Sequence, residues 1–339
     1  MEHQLDVIIP VYKPGKEFLE LIKKLQEQEY GVNRIIIMNT EQKYFDRLIY
    51  GTSFYEKNPK VKVYHLSKKE FDHGNTRNLG VQKSQAPYFL MMTQDALPAD
   101  NRLTAELMEA VCRDNVAVAY ARQLPAANCR EIERFTRSFN YPDTSVIKTE
   151  EDVSRLGIKT YFCSNVCAVY NRRIYEEMGG FIQNTIFNEY MIYAAKAAKK
   201  GYGIAYKAEA KVIHSHNYTG KEQFHRNFDL GVSQADHPEI FEGISSESEG
   251  MRMVRLTAGH LKHMGLKRKI PLLIWQSACK YIGYFLGKRY KRLPRAVVLR
   301  CTQNRDYWLT YERKMDVCNI DATKGYGKSS EEDRMRLEK

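Results

Sequence analysis

No aspartate or glutamate stands between Gly250 and Arg305, a window that carries fourteen lysines and arginines. That window alone holds more positive charge than the whole chain, whose net charge is +12. A cationic excess so local marks a surface addressed to something anionic. Long apolar runs are missing as well. The best, "IPLLIW" at Ile270–Trp275, is far short of the ~20 residues a membrane-spanning helix needs. The opening "MEHQLDVIIPVYK" lacks the basic start and long apolar stretch of a secretory leader. The seven cysteines show no Cys-x-x-Cys spacing, and their odd number argues for reduced thiols in a cytosol over a disulfide or zinc framework. With 43% hydrophobic residues, the 339-residue chain is too apolar to be disordered and long enough for one large α/β domain plus an appendage.

What is present is an alternation. "LDVIIP", "RIIIM", "VKVYHL", "YFLMMT" and "VAVAYA" are short β-branched or apolar runs that read as strands. Between the first two, Lys16 to about Gln28 reads as a helix with Phe18, Leu21, Ile22 and Leu25 on one face. "GNTRNLGVQKS" opens another helix, with Asn75 or Thr76 as its cap, and Asp100 caps a third. This rhythm predicts a mostly parallel sheet with helices on both faces. Ligands in such sheets sit beyond the carboxyl ends of the strands. From about Thr219 the pattern turns helical, with segments near 221–234, 250–264, 267–290 and 295–312. The expected domains are therefore 1–218, a basic helical region at 219–322 and a polar tail at 323–339.

Two loops carry chemistry. In "FDHGNTRNLG" (Phe71–Gly80), Gly74 permits a tight turn and Arg77 falls in a helix's first turn, a place for a diphosphate. A plain capped helix with a surface Arg fits the loop equally well. In "MMTQDALP" (Met91–Pro98), Asp95 follows an apolar strand. An acid there suits Mg²⁺ or Mn²⁺ beside substrate phosphates, or simply a turn ahead of Pro98.

Taken in order, "VIIPVYK", "DHGNTRN", "TQDALP", "FCSNVCAVYNRRIYEEMGGF", "FNEYM", "HSH" and "QFHRNF" resemble the inverting family 2 glycosyltransferases of the GT-A fold. More narrowly, they resemble the bacterial rhamnosyltransferases of surface-polysaccharide synthesis. The resemblance implies a dTDP-rhamnose donor, a lipid-linked glycan acceptor and a divalent cation. It assigns Pro10, Val11 and Tyr12 to the nucleotide pocket, with Asn39, Thr40 or Glu41 meeting the base and Asp72, Arg77 and Gln94 on the donor side. Asp95 becomes the metal-binding acid, with His214 or His216 adding a second contact. Gly180, in "MGGF", closes the cleft between donor sugar and acceptor, and Gln223 and Arg226 lie near the diphosphate or acceptor.

The family pattern breaks at one point. Its acidic pair at a helix start is usually Glu-Asp, with the Asp as general base, whereas this chain has Glu189-Tyr190. Side chains at i and i+1 of a helix point ~100° apart. A tyrosine with an ordinary pKa near ~10 is a poor base at neutral pH. Glu189 is thus the expected catalyst. The alternative is an impaired donor-binding or scaffold protein of the same fold.

The basic region adds a partner. Ile274, Ala278, Tyr281, Ile282 and Phe285 recur at helical spacing among lysines and arginines. That pattern fits a helix lying on an anionic membrane surface, or one packed on its own domain with a solvated basic face. No recognition module points to nucleic acid. The expectation is an enzyme peripheral to the cytoplasmic face of the cell membrane.

Overall fold

The computed structural model describes residues 4–243 and 247–309. The polar tail at 323–339 and the end of the segment near 312 lie outside the described residues.

Among the described residues, nine strands form one sheet: β1 (Leu5–Tyr12), β2 (Arg34–Thr40), β3 (Val61–Leu66), β4 (Tyr88–Met92), β5 (Leu97–Pro98), β6 (Val116–Leu124), β7 (Val146–Lys148), β8 (Cys167–Asn171) and β9 (Gly203–Ile213). Their order is β3-β2-β1-β4-β8-β6-β9-β5, with β7 added on β9. The first four strands of this order are parallel, and so is β6 with β9. Strand β8 runs antiparallel between β4 and β6, which makes the sheet mixed.

Both faces are covered, and alternation along the strands shows how. Val7, Ile9, Ile35 and Ile37 enter one apolar cluster, whereas Ile8, Ile36 and Met38 enter the other. A strand buried on both faces reads as a continuous apolar run, which is what "VIIP" and "IIIM" are. The helix Lys16–Gln26 buries the four apolar residues expected of it. Two caps differ from expectation. Asp72, rather than Asn75 or Thr76, caps the helix His73–Lys83, accepting from Asn75 N at 2.7 Å. Asp100 instead accepts from Arg102 N, and the helix starts later, at Leu103.

Residues up to Gln303 form one compact unit. Within it the helices Gly220–Asp236 and Ile270–Lys288 lie against each other. Glycines set their separation. A Cβ on Gly283 would stand 2.2 Å from the Phe224 carbonyl oxygen, and one on Gly287 2.1 Å from that of Phe228. A Cβ on Gly231 would meet the Tyr284 oxygen at 2.5 Å. Small residues four apart let helix backbones approach this closely. The inward flank of the second helix is therefore Leu273, Cys279, Gly283 and Gly287. Its apolar stripe faces out, with Ile274 59%, Trp275 62% and Tyr281 55% exposed.

Gly283→Ala and Gly287→Ala should each cost about 1–3 kcal/mol by overpacking. Gly259→Ala, whose Cβ would meet nothing within 4 Å, should be neutral or slightly stabilising. Thermal unfolding followed by circular dichroism compares the three.

Candidate active site

Strand pairing assembles the first half of the site. Strand β9 runs beside β6 with Gln123 opposite Val212 and Leu124 opposite Ile213, and the ladder continues from His214 N to Leu124 O at 2.9 Å. The short β5 pairs with the same end of β9, Leu97 opposite Ile213. Asp95 lies in the turn from β4 to β5, so this pairing carries its carboxylate to the residues just past β9. His214 Nε2 lies 3.5 Å and His216 Nε2 3.3 Å from Asp95 Oδ2. Both histidines follow the strand's last residue, yet both reach the acid.

Gln123 fixes the ring of His214. Its Oε1 lies 3.0 Å from His214 Nδ1 and also accepts from Arg137. Its Nε2 donates to Tyr141 Oη at 2.6 Å and Ser164 Oγ at 2.9 Å. With the amide so oriented, Nδ1 carries a proton, and Nε2 is the ring nitrogen directed at Asp95. Burial, then the neighbouring His214, brings His216 down to about 4, so its imidazole is neutral at neutral pH. Burial acts to raise the Asp95 pKa, but the His214 hydrogen bond and charge, helped by His216, hold the carboxyl well below the usual range. One carboxylate and two imidazoles, with ligand atoms within 4.8 Å of one another, fit a divalent cation. No second acid follows Asp95 because Ala96 is buried and Leu97 belongs to β5.

The second half gathers at the helix Glu189–Lys199. Glu189 is buried; its Oε1 takes Asn165 Nδ2 at 3.2 Å and faces Arg77 Nη1 at 3.4 Å. Arg77 also donates to His73 O at 2.8 Å, while its Nε is buried without a hydrogen-bond partner among the described residues. Arg77 thus turns inward onto Glu189. Tyr190 packs among apolar residues, and burial and the adjacent Glu189 push its phenol well above its usual range. It keeps its proton and cannot be a base.

The "MGGF" loop is clamped to the Arg77 helix. Asn78 Nδ2 donates to Phe181 O at 2.8 Å, and Phe181 N donates to Asn78 Oδ1 at 3.0 Å. Gly180 has φ 72°, and a Cβ on Gly74 would stand 1.8 Å from Ile182 O. Both positions therefore require glycine.

At the far strand ends, Gln94 grips Tyr12 through both backbone groups, at 2.8 and 3.0 Å. Tyr12 is 39% exposed, Pro10 is partly buried and Val11 lies in the core. Asn39 is fully buried against His65 Nδ1 at 2.9 Å, and Glu41 accepts from Lys68 N at 3.0 Å. Asp72 is spent on its helix cap. Gln223 is buried near His216, and Arg226 joins the two halves. Its guanidinium lies 4.8 Å from the Phe187 ring and 5.7 Å from that of Tyr218, which stacks on His216. Sequence reasoning missed Gln123, Asn165 and Asn78. The available signal was a lone amide in the apolar run "VAVAYARQL".

Glycosyl transferase family 2 matches residues 6–179. The chain is 34% identical to the O-antigen chain rhamnosyltransferase RfbN of Salmonella typhimurium, over 90% of this chain and 96% of that one. It is also 34% identical to the O-antigen chain rhamnosyltransferase WbaN of Salmonella anatum, over 89% and 95%. This chain belongs to glycosyl transferase family 2. Among solved structures, the mannosyltransferase PcManGT from Pyrobaculum calidifontis, in complex with GDP-Man and Mn²⁺, matches the glycosyltransferase with a TM-score of 0.53. That match covers 92% of this chain and 86% of the other at 13% identity, a likeness of fold.

Gln123→Leu should weaken Mn²⁺ binding by the enzyme about 10–100-fold, the usual loss when a ligand's orienting partner goes. Gln123→Glu, which still accepts from Nδ1, should bind nearly as wild type. Isothermal titration with Mn²⁺ measures both.

Proposed function

We propose that the enzyme moves L-rhamnose from dTDP-rhamnose, with inversion, onto a lipid-linked glycan during assembly of a cell-surface polysaccharide. The observation that carries this is the identity of about one residue in three, along nine-tenths of the chain, to two proteins named as O-antigen chain rhamnosyltransferases. In such a transfer an acceptor hydroxyl oxygen bonds to the anomeric carbon as the bond from that carbon to the diphosphate oxygen breaks. The hydroxyl proton goes to a base, and the electron pair leaves with the diphosphate.

Glu189 is the proposed base. Its Oε1 is held by Asn165 and Arg77. Oε2 makes no hydrogen bond with a described residue, which leaves it for the acceptor hydroxyl. Arg77 then acts as the residue that positions Glu189. Arg226, held by two rings and without an ion pair among the described residues, is the cation proposed for the departing diphosphate. Asp95, His214 and His216 would hold the metal, and two imidazoles in the set favour Mn²⁺ over Mg²⁺. When bound, the cation offsets charge on the leaving group. Tyr12 and Gln94, with Pro10, Asn39 and Glu41, form the proposed nucleotide side.

The outward stripe of the helix Ile270–Lys288, in a region with no acidic residue for over fifty positions, supports a seat on an anionic membrane at its cytoplasmic face. No helix among the described residues is long and apolar enough to cross a membrane. The basic region at 219–322 is proposed as the acceptor side of the enzyme.

Transfer of radiolabelled rhamnose from dTDP-rhamnose to bacterial membrane lipid tests the reading. Wild type should transfer. Glu189→Gln should lose about 10²–10⁴ in kcat, and Tyr190→Phe should stay within a few-fold of wild type. Full activity in Glu189→Gln would remove the base assignment. In a second assay, vesicles containing anionic lipid should retain the protein at low salt and release it at high salt. Trp275→Ala with Tyr281→Ala should weaken that retention.

A further inference from the structure

A groove adjoins the histidine pair. His216, Tyr218 and Gln223 form one wall, and Lys269, Gln276 and Lys280 form the other. Two carboxylates also line it, but each is already engaged. Glu131 is hydrogen-bonded to His260 at 2.9 Å, and Glu133 receives Arg137 Nε at 2.7 Å. Gln276 is anchored by donating to Tyr218 O at 3.1 Å.

Lys280 differs from these residues. It is partly buried, and its ammonium makes no hydrogen bond or ion pair with a described residue. The charges it senses are Glu133, Arg137 and Arg226, and burial lowers its pKa. A lysine withdrawn from water without a partner is costly. Glu133 is the largest of these charges and favours the ammonium, but it is already paired with Arg137; with Arg226 also near, the setting suits an added anion.

Leu272, 43% exposed, lines the same groove as Lys280, whereas the outward stripe of Ile274, Tyr281 and Ile282 lies across the helix from it. A ligand seated here would therefore meet His216, the partly buried Lys280 and an exposed apolar side chain. That combination suits a glycan joined through phosphate to an apolar chain. We propose that Lys280 binds the phosphate linking the acceptor glycan to its lipid. The inference rests on the sugar-transfer reading of the neighbouring centre.

The test uses the full chain and farnesyl diphosphate, a short apolar-chain diphosphate, followed by isothermal titration. Lys280→Met should weaken its binding on the order of tenfold, the loss of a charge-assisted hydrogen bond. Lys280→Arg should stay within about threefold. Farnesol should bind both variants and wild type alike, as should dTDP with Mn²⁺ and vesicles of anionic lipid. Lys280→Gln replaces Lys280→Met if the latter melts early. Unchanged farnesyl diphosphate affinity in Lys280→Met would overturn the proposal. An equal loss of dTDP affinity would overturn it in favour of a donor contact. A loss confined to vesicle retention would overturn it in favour of bulk lipid headgroups. Selective loss of farnesyl diphosphate in a chain that binds no dTDP would uphold the site and sink the sugar-transfer reading instead.

Discussion

The hydrogen bond between Gln123 and His214 ties this site to its fold. A histidine can ligate through Nε2 only if Nδ1 keeps its proton, and here the acceptor that keeps it there is a side chain on the neighbouring strand. The register of β6 on β9, with Gln123 opposite Val212, brings its amide within reach of His214 just past the strand end, and the pairing of β5 with that end adds Asp95. The Gln123 amide also reaches Ser164, whose chain neighbour Asn165 donates to Glu189. Buried contacts along one stretch of chain therefore orient a candidate metal ligand at one end and a carboxylate at the other. Such contacts carry a stability cost if any member is left unsatisfied, which makes the arrangement specific.

The C-terminal helices stand in an equally strict relation to the rest. Glycine contacts between Gly220–Asp236 and Ile270–Lys288 leave no room for the second helix to rotate about its axis, since any other flank would bring side chains against the Phe224 and Phe228 carbonyls. The rotation so fixed turns Ile274, Trp275 and Tyr281 outward and Lys280 toward the histidine side. The helix that carries Gln223 and Arg226 is also the one these glycines hold. The surface suited to a membrane and the residues suited to the chemistry are thus fixed by the same packing.

Much of this was legible locally. The parallel strands and the first helix follow from periodicity, because a doubly buried strand and an amphipathic helix each leave a repeating mark. The antiparallel β8 left no such mark, since the direction of a strand depends on distant partners. The Asp72 cap was misassigned by three or four residues for a local reason: Asp, Asn and Thr all cap well, and the spacing does not rank them. The stripe on Ile270–Lys288 had the spacing of a packed face and the spacing of an exposed one alike. Only the glycines at 283 and 287, invisible to an apolar count, decide between them. Glu189 was visible as an acid at a helix start, but its partners Arg77 and Asn165 both come from earlier in the chain, Asn165 by 24 residues and Arg77 from a separate helix.

The central claim is that Asp95, His214 and His216 hold a divalent cation against the donor's diphosphate. Pulsed electron paramagnetic resonance of the Mn²⁺-loaded protein with dTDP addresses it most directly. The account predicts nitrogen couplings from two imidazoles together with phosphorus couplings, and loss of one imidazole in His216→Ala. Mn²⁺ spectra showing phosphorus but no histidine nitrogen would contradict it.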